Sequence, residues 1–402
     1  MNINQLLIQA RAAYEASDWS LLIQSLQQLM ETPAKHPQIA ECQENLLELA
    51  VSILENGDFG QRWDISKVFT YLGSVAIPPL VAILSDDTND EELRWYAVRI
   101  LGEYKNTEAI LPLVELLQNS DNEELRIMAA SALGQLGTSA ILVLSELLKD
   151  DSTKLLATRS LCYIRHTTTI APLLTVVEDA NVSVRAAAIE ALSSFHREEV
   201  EDVLILAIDD EAPAVRREAI LGLGFRPDLR DKYDLVTRLQ PKLYDLNLEV
   251  ASAAVVALSR MGGDIAAQHL YELLVLPDTG VKLKLETIRG LSWLTSISGL
   301  EYLQQAFNQV ESITLWQEIV TVLGRVKQPN LTVKATEILL EILQSHQAIE
   351  SSSLRCAVAL SLGQLGTKLA IEPLVELAQD SSEQVKLHAL ASLRNLGVGI
   401  LS

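Results

Sequence analysis

Apolar residues along this chain come in short bursts at i, i+3, i+4 and i+7, each closed by polar and turn-forming residues. Two kinds of burst alternate. The first reads Ile77-Pro78-Pro79-Leu80-Val81-Ala82-Ile83-Leu84. It returns as Ile110-Leu111-Pro112-Leu113-Val114-Glu115-Leu116-Leu117, as Ile170-Ala171-Pro172-Leu173-Leu174 and as Ala370-Ile371-Glu372-Pro373-Leu374-Val375-Glu376-Leu377. Proline so near the start fits a first helical turn, where its missing N–H has no partner to lose, so this burst predicts a helix, A. The second burst carries a basic anchor: Leu93-Arg94, Leu125-Arg126, Val184-Arg185, Val215-Arg216, Leu354-Arg355 and Val385-Lys386. Its period is also helical, and it predicts helix B. Gly102, Gly134, Gly137, Gly363 and Gly366 lie at the ends of these bursts and are expected to cap the B helices.

The anchors recur at a fixed interval. Arg94 and Arg126 are 32 residues apart, and Arg185 and Arg216, like Arg355 and Lys386, are 31 apart. Arg62-Trp63 is an earlier copy, Lys282 another, and degenerate copies fall near Lys154, Val250 and Leu315. One unit is therefore an antiparallel helix pair of about 31 residues. Alone it cannot bury its apolar face, but stacked copies share one core. The fold expected is all-α, a right-handed α-solenoid of about ten to eleven repeats over residues 61–402. Residues 1–60 do not match the repeat. Ile3–Ala16, Trp19–Met30 and Ile39–Leu54 read there as three amphipathic helices, with Pro33 and Pro37 between the last two. They predict an atypical helical cap on the open end of the stack. Residues 224–234 (GFRPDLRDKYD) break the interval and predict a longer loop.

Composition narrows the class. Of 402 residues, 49% are apolar but only 5% aromatic, and Gly (18) and Pro (12) are sparse, which fits a helical chain and excludes a disordered or collagen-like one. The net charge of −21 repels phosphate backbones, so nucleic-acid binding is not expected, whereas a basic partner suits the field. Cys42, Cys162 and Cys356 are scattered and odd in number, as expected of thiols in a reducing compartment. The uncharged runs Val68–Ser85 and Ile127–Ser145 are each interrupted by glycine or proline and predict two short helices rather than a membrane span. With no signal peptide legible at the N-terminus, a cytoplasmic location is expected.

The repeats resemble HEAT repeats, of the short type found in phycobilisome lyases and their relatives, over about residues 60–400. That family carries an Asp at the A–B turn six residues before the helix-B basic residue. Asp179/Arg185, Asp210/Arg216 and Asp380/Lys386 keep the spacing here, and Asp121/Arg126 and Asp86/Arg94 keep it loosely. The resemblance implies a structural ladder of ion pairs and turn-capping hydrogen bonds. It also implies a phycobilisome or photosynthetic, cyanobacterial setting. Leu93-Arg94-Trp95-Tyr96-Ala97-Val98-Arg99-Ile100-Leu101-Gly102 resembles the aromatic-rich helix of E-type phycocyanobilin lyase subunits, although the family carries further aromatics where this chain has Val98, Arg99 and Ile100. The likeness implies, as an alternative function, a bilin lyase or bilin-detaching subunit that handles phycocyanobilin transiently, with a phycobiliprotein subunit or a second HEAT-repeat subunit as partner.

Signatures of chemistry are missing. The chain has no GxxxxGK[ST], GxGxxG or GxSxG. Its six histidines form no i, i+3 or i+4 pair, and none precedes a Glu, unlike the His-Glu pairs of the HEAT-like di-iron deoxyhypusine hydroxylases. No catalytic or metal residue and no cofactor is expected. Function is then expected on the concave face lined by B helices, as a non-catalytic scaffold for a partner protein. Trp95, Tyr96 and Arg99 are the leading candidates, since Trp95 and Arg99 share a helix face and pair an aromatic with an arginine. Packing between repeats is the alternative for Trp95. Arg159, Arg217, Glu218, Arg289, Trp293 and Trp316 are further candidates. Arg216, Arg217, Arg226, Arg230 and Lys232 form a local basic cluster, or else a solvated loop paired with Asp228 and Asp231.

Overall fold

Polar caps start the B helices. Asp90, Asn122, Asn181 and Asn247 sit at N-caps in extended conformation and accept backbone N–H bonds from the first turns of Glu91–Glu103, Glu123–Gln135, Val182–Leu192 and Leu248–Met261. The A helices start differently. A short 3-10 turn (Gly73–Ala76, Thr107–Ala109, Thr167–Thr169, Lys368–Ala370) runs into Ile77–Ser85, Ile110–Asn119, Ile170–Leu174 and Ile371–Leu377, each with its proline in the first turn. The computed structural model describes residues 3–30, 42–104 and 106–398, and among these every regular element is helical.

The chain divides into two compact units, Met1–Val200 and Glu201–Ser402. In the first, the B helices Phe59–Leu72, Glu91–Glu103, Glu123–Gln135, Lys154–Tyr163 and Val182–Leu192 lie side by side, each backed by an A helix. In the second, Pro213–Gly224, Leu248–Met261, Val281–Trp293, Ile313–Gly324, Ser352–Leu365 and Glu383–Asn395 repeat the arrangement. Leucine, isoleucine, valine and alanine fill both cores. The antiparallel pairs and the degenerate copies at Lys154, Val250 and Leu315 are as the periodicity predicts. At the N-terminus the helices are Ile3–Glu15, Trp19–Met30 and Gln43–Asn56. The expected start of the third helix at Ile39, with Pro33 and Pro37, falls outside the described residues.

Gly102, Gly134 and Gly363 do not cap helices. They lie within Glu91–Glu103, Glu123–Gln135 and Ser352–Leu365, where neighbouring B helices touch. A Cβ on Gly102 would come 3.0 Å from Ala132 Cβ, and one on Gly134 3.1 Å from the Ser160 carbonyl. Ser160, Ser361 and Ser392 complete the seam by donating their hydroxyls to Ala130, Val320 and Ala359 of the preceding B helix. Gly137 and Gly366 are left-handed (φ +71° and +69°) and end their helices as expected. The uncharged run Val68–Ser85 falls within Phe59–Ser85, a stretch long and apolar enough to cross a membrane by length and composition, but Gly73 at φ +69° splits it into the helices Phe59–Leu72 and Ile77–Ser85.

Candidate functional site

Three of the basic anchors, Arg62, Arg216 and Arg355, share one geometry, reaching back to carbonyls at the start of their own repeat and forward to the aspartate of the next turn. Arg94 instead pairs with Asp87 of its own turn, and Arg126 reaches forward to the Ser152 carbonyl. Arg216 donates to the Asp210 and Glu211 carbonyls at 2.8 and 2.9 Å and grips both Asp245 oxygens at 2.8 and 2.9 Å. Arg355 donates to the Ala348 and Ile349 carbonyls and to both oxygens of Asp380, at 2.7 and 3.1 Å. Arg62 holds Asp90 in the same way, and Lys154 meets Asp179 at 2.8 Å. The ladder exists, but its expected pairings are corrected. Arg185 meets the Asp179 backbone carbonyl, Arg216 meets the Asp210 carbonyl, and Lys386 pairs with Glu383 rather than Asp380. The physical reason is that six residues back along the turn places a carbonyl, not a carboxylate, under the guanidinium. Each carboxylate instead caps its own turn, Asp179 accepting from Asn181 N–H and Asp380 from Ser382 N–H, and faces the preceding repeat.

The residues read as a basic cluster are a folded ion network in the second unit. Arg226 is buried, meeting Glu201 at 2.9 Å and Asp228 at 2.8 Å. Lys232 reaches the other Glu201 oxygen at 2.6 Å, and the Tyr233 hydroxyl lies 3.2 Å from it. Lys232, Arg226 and Tyr233 together hold the Glu201 carboxyl below the ordinary glutamate range. Residues 224–234 are thus ordered by charge, with a 3-10 turn at Pro227–Leu229. Arg226 and Arg230 pair with Asp228 and Asp231 as the solvated-loop alternative expected, and Phe225, Asp228, Asp231 and Lys232 are exposed.

The candidate partner-contacting residues separate into surface and core. Tyr96 is core: its ring is fully buried and its hydroxyl donates to the Phe59 carbonyl at 3.0 Å, so it contacts no partner. Its ring stands edge-on to Trp95, with centroids 5.0 Å apart, and fixes that indole from beneath. Trp95 and Arg99 are half-buried on the outer side of Glu91–Glu103. Arg99 does not stack chiefly on Trp95. Its guanidinium carbon sits 3.8 Å from the ring centroid of Trp63, one helix earlier, and 5.9 Å from that of Trp95. Trp63 was legible in the sequence, since it follows Arg62 as Trp95 follows Arg94 and as Ile127 follows Arg126. All three occupy the same register position, and Trp63 and Ile127 are exposed, with Arg159 and Tyr163 exposed two helices beyond Trp95. The N-terminal unit therefore presents a stripe of Trp63, Trp95, Arg99, Ile127, Arg159 and Tyr163 across consecutive B helices.

The remaining candidates lie in the second unit, and all but Trp293 are engaged. Arg217 pairs with its neighbour Glu218, and Arg289 meets Glu318 of the next B helix at 2.6 Å. Trp316 donates its indole N–H to the carbonyls of Phe307 and Val310, at 3.1 and 2.8 Å, which fixes an A–B turn and makes it structural. Trp293 is exposed. Burial pushes the Cys162 thiol up to about 12, and it donates to the Thr158 carbonyl, so it stays a neutral thiol.

Paired helices stacked through shared B-helix seams, with an arginine–aspartate ladder along the turns, define an α-solenoid. The HEAT-repeat profile matches residues 77–159, 200–291 and 300–394, more than half of the chain, and the chain belongs to the HEAT-repeat family. No curated protein matches it. Among solved structures it is similar to a chain of the Kap95p–RanGDP complex, at 13% identity and a TM-score of 0.55, covering 87% of this chain and 55% of that one. It is similar also to importin beta, at 14% identity and a TM-score of 0.53, with the same coverages. The chain thus spans about half the length of these importin-type structures. Human deoxyhypusine hydroxylase also matches, at 17% identity over 68% of this chain and 98% of that one, but with a TM-score of only 0.29.

Proposed function

We propose that this chain is a non-catalytic binding scaffold, an assembly or regulatory factor that holds a partner protein against the B-helix face of its N-terminal unit. The observation that carries the reading is the stripe across consecutive helices in which Trp63, Trp95 and Ile127 share one register position and Arg99 and Arg159 share another, one helical turn further on. Tryptophan and arginine on an open surface are the composition of interaction hot spots, and the T-shaped support from buried Tyr96 fixes Trp95 in advance of binding. A row of parallel helices offers such a surface without any reacting group. Kap95p, which shares the fold, binds RanGDP.

A photo-crosslinking amino acid placed at Ile127, and in a second variant at Leu142 on the A helix Ile141–Leu147, tests the face directly; both positions are exposed. In native lysate, position 127 should yield discrete crosslinked partners and position 142 none of them. The same products from both positions, or none from 127, would remove the reading.

The likeness of Leu93–Gly102 to E-type phycocyanobilin lyase subunits makes a phycobiliprotein subunit the first partner to try, in a cytoplasmic, phycobilisome setting. The exposed indole surface supports the narrower alternative of transient phycocyanobilin handling, while Tyr96, held in the core, contributes nothing to it. A visible absorbance change on mixing with phycocyanobilin, followed by transfer to an apo-phycobiliprotein, is its test. No change and no transfer, with a second HEAT-repeat subunit present, would remove it.

A further inference from the structure

Beside Trp95 the surface sinks into a depression of about 350 Å³, lined by Phe59, Glu91, Glu92, Trp95, Asn122, Glu124 and Leu125. Its apolar part is the ring of Phe59, largely exposed, with Trp95 and Leu125. Three carboxylates surround these, and no cation lines the site. Glu92 is partly compensated by Arg62 at 3.0 Å. Among the described residues, Glu91 and Glu124 have no ion-pair partner. The protein's own nearby cation, Arg99, is spent on Trp63 and Glu103 and is not among the lining residues.

Aromatic walls and a carboxylate rim favour the same kind of guest. Ring faces attract cations through their quadrupole. Carboxylates attract them by charge, more strongly where apolar walls displace water. A lysine or arginine also brings a long aliphatic stem that covers apolar surface while its head stays at the rim. A leucine or phenylalanine guest would leave the carboxylates without a partner, and an acidic guest would be repelled. At longer range the net charge of −21 draws basic segments toward the protein.

We propose that this depression receives a lysine or arginine side chain from a basic segment of the partner protein. The proposal rests on the B-helix face being the docking surface and names what that surface recognises. The test is calorimetric titration of the full chain with a short, capped peptide alternating lysine and glycine, against its glutamate–glycine counterpart. The lysine peptide should bind and the glutamate peptide should not. The paired variant E91Q/E124Q should weaken binding about tenfold, while the charge-matched control E372Q/E376Q, two exposed sites in the second unit, should change it less than about twofold. W95L keeps an apolar side chain but loses the indole face, and it should weaken binding several-fold.

Equal losses from the two glutamine pairs would mean that binding follows net charge alone, and would overturn the proposal. So would absence of binding by the wild type. Light scattering on the same samples reads the competing occupant: a dimer of this chain that W95L dissociates also overturns it. If crosslinking at position 127 succeeds while the lysine peptide fails, the docking face stands and the basic guest falls. If crosslinking at 127 fails, the face itself is lost.

Discussion

Arg216 condenses the logic of the ladder. One guanidinium ties two carbonyls of its own turn to the aspartate of the next, so a single side chain fixes both the turn and the stacking of neighbouring repeats. Burial alone would raise the Asp245 carboxyl; the Arg216 guanidinium and the Asn247 N–H more than reverse this, and its pKa lies below the ordinary value. Asp380, held by Arg355, is lowered likewise. A carboxyl depressed in the folded state contributes stability above its unfolded pKa, near 4, and loses it as pH falls through the folded value. D245N should therefore cost about 3 kcal/mol near pH 7, because it leaves a mostly buried guanidinium without its counter-charge. The difference from wild type should be smaller at an acid pH below about 4, where the carboxyl begins to protonate, than near pH 7. Urea unfolding at both pH values checks it; an equal difference at both would show that shape rather than charge is at stake. The anchors and aspartates were legible in the sequence, and so was their six-residue spacing. The pairing was not, because spacing within a turn does not say whether backbone or side chain faces the guanidinium. Tyr96 was misread for a similar reason. It lies between two surface residues, Trp95 and Arg99, in a helix whose inward arc is wide enough to bury Tyr96, Ala97 and Val98 together.

At the scale of the helix, close approach decides which small residues matter. A Cβ added to Gly324 would fall 2.5 Å from Ser361 Cβ and 2.7 Å from its Cα, so the two B helices cannot keep their distance around any side chain there. G324A gains about 1 kcal/mol of helix propensity, but separating the helices costs about 1–3 kcal/mol and breaks the Ser361-to-Val320 hydrogen bond. The net should be destabilising. Gly60, near the start of Phe59–Leu72, meets only Asp58 Oδ1 at 3.5 Å, so G60A should stabilise by about 0.5–1 kcal/mol. Denaturation midpoints that move in opposite directions confirm the seam; a rise in both would contradict it. The sequence marked Gly102, Gly134 and Gly363 by their place near the ends of leucine-rich bursts, and a stop was the natural reading. Which glycine ends a helix and which admits a neighbour depends on the facing residue, Ala132 for Gly102 and Ser361 for Gly324, and that residue lies one repeat away. Where the interval stretched, at 224–234, the sequence located the irregularity but not its cause, since Glu201, which neutralises Arg226 and Lys232, belongs to the preceding A helix.

Across the molecule, periodicity carried the architecture. A 31-residue interval, prolines in first turns and basic anchors were enough to expect stacked helix pairs, and each unit has them. The functional surface was only half legible. Trp95 and Arg99 were found as a pair on one helix, yet the geometry is between helices, with Arg99 on Trp63 and Glu124 of the next repeat facing Trp95 across the depression. Such a face suits capture of a partner.

Hydrogen exchange on the full chain, free and bound to the partner crosslinked from position 127, tests this account most directly. Protection on binding is predicted in Phe59–Leu72, Glu91–Glu103 and Glu123–Gln135, the helices that carry Trp63, Trp95 and Ile127. Protection confined to the A helices Ile77–Ser85 and Ile110–Asn119, or to the second unit, would contradict it.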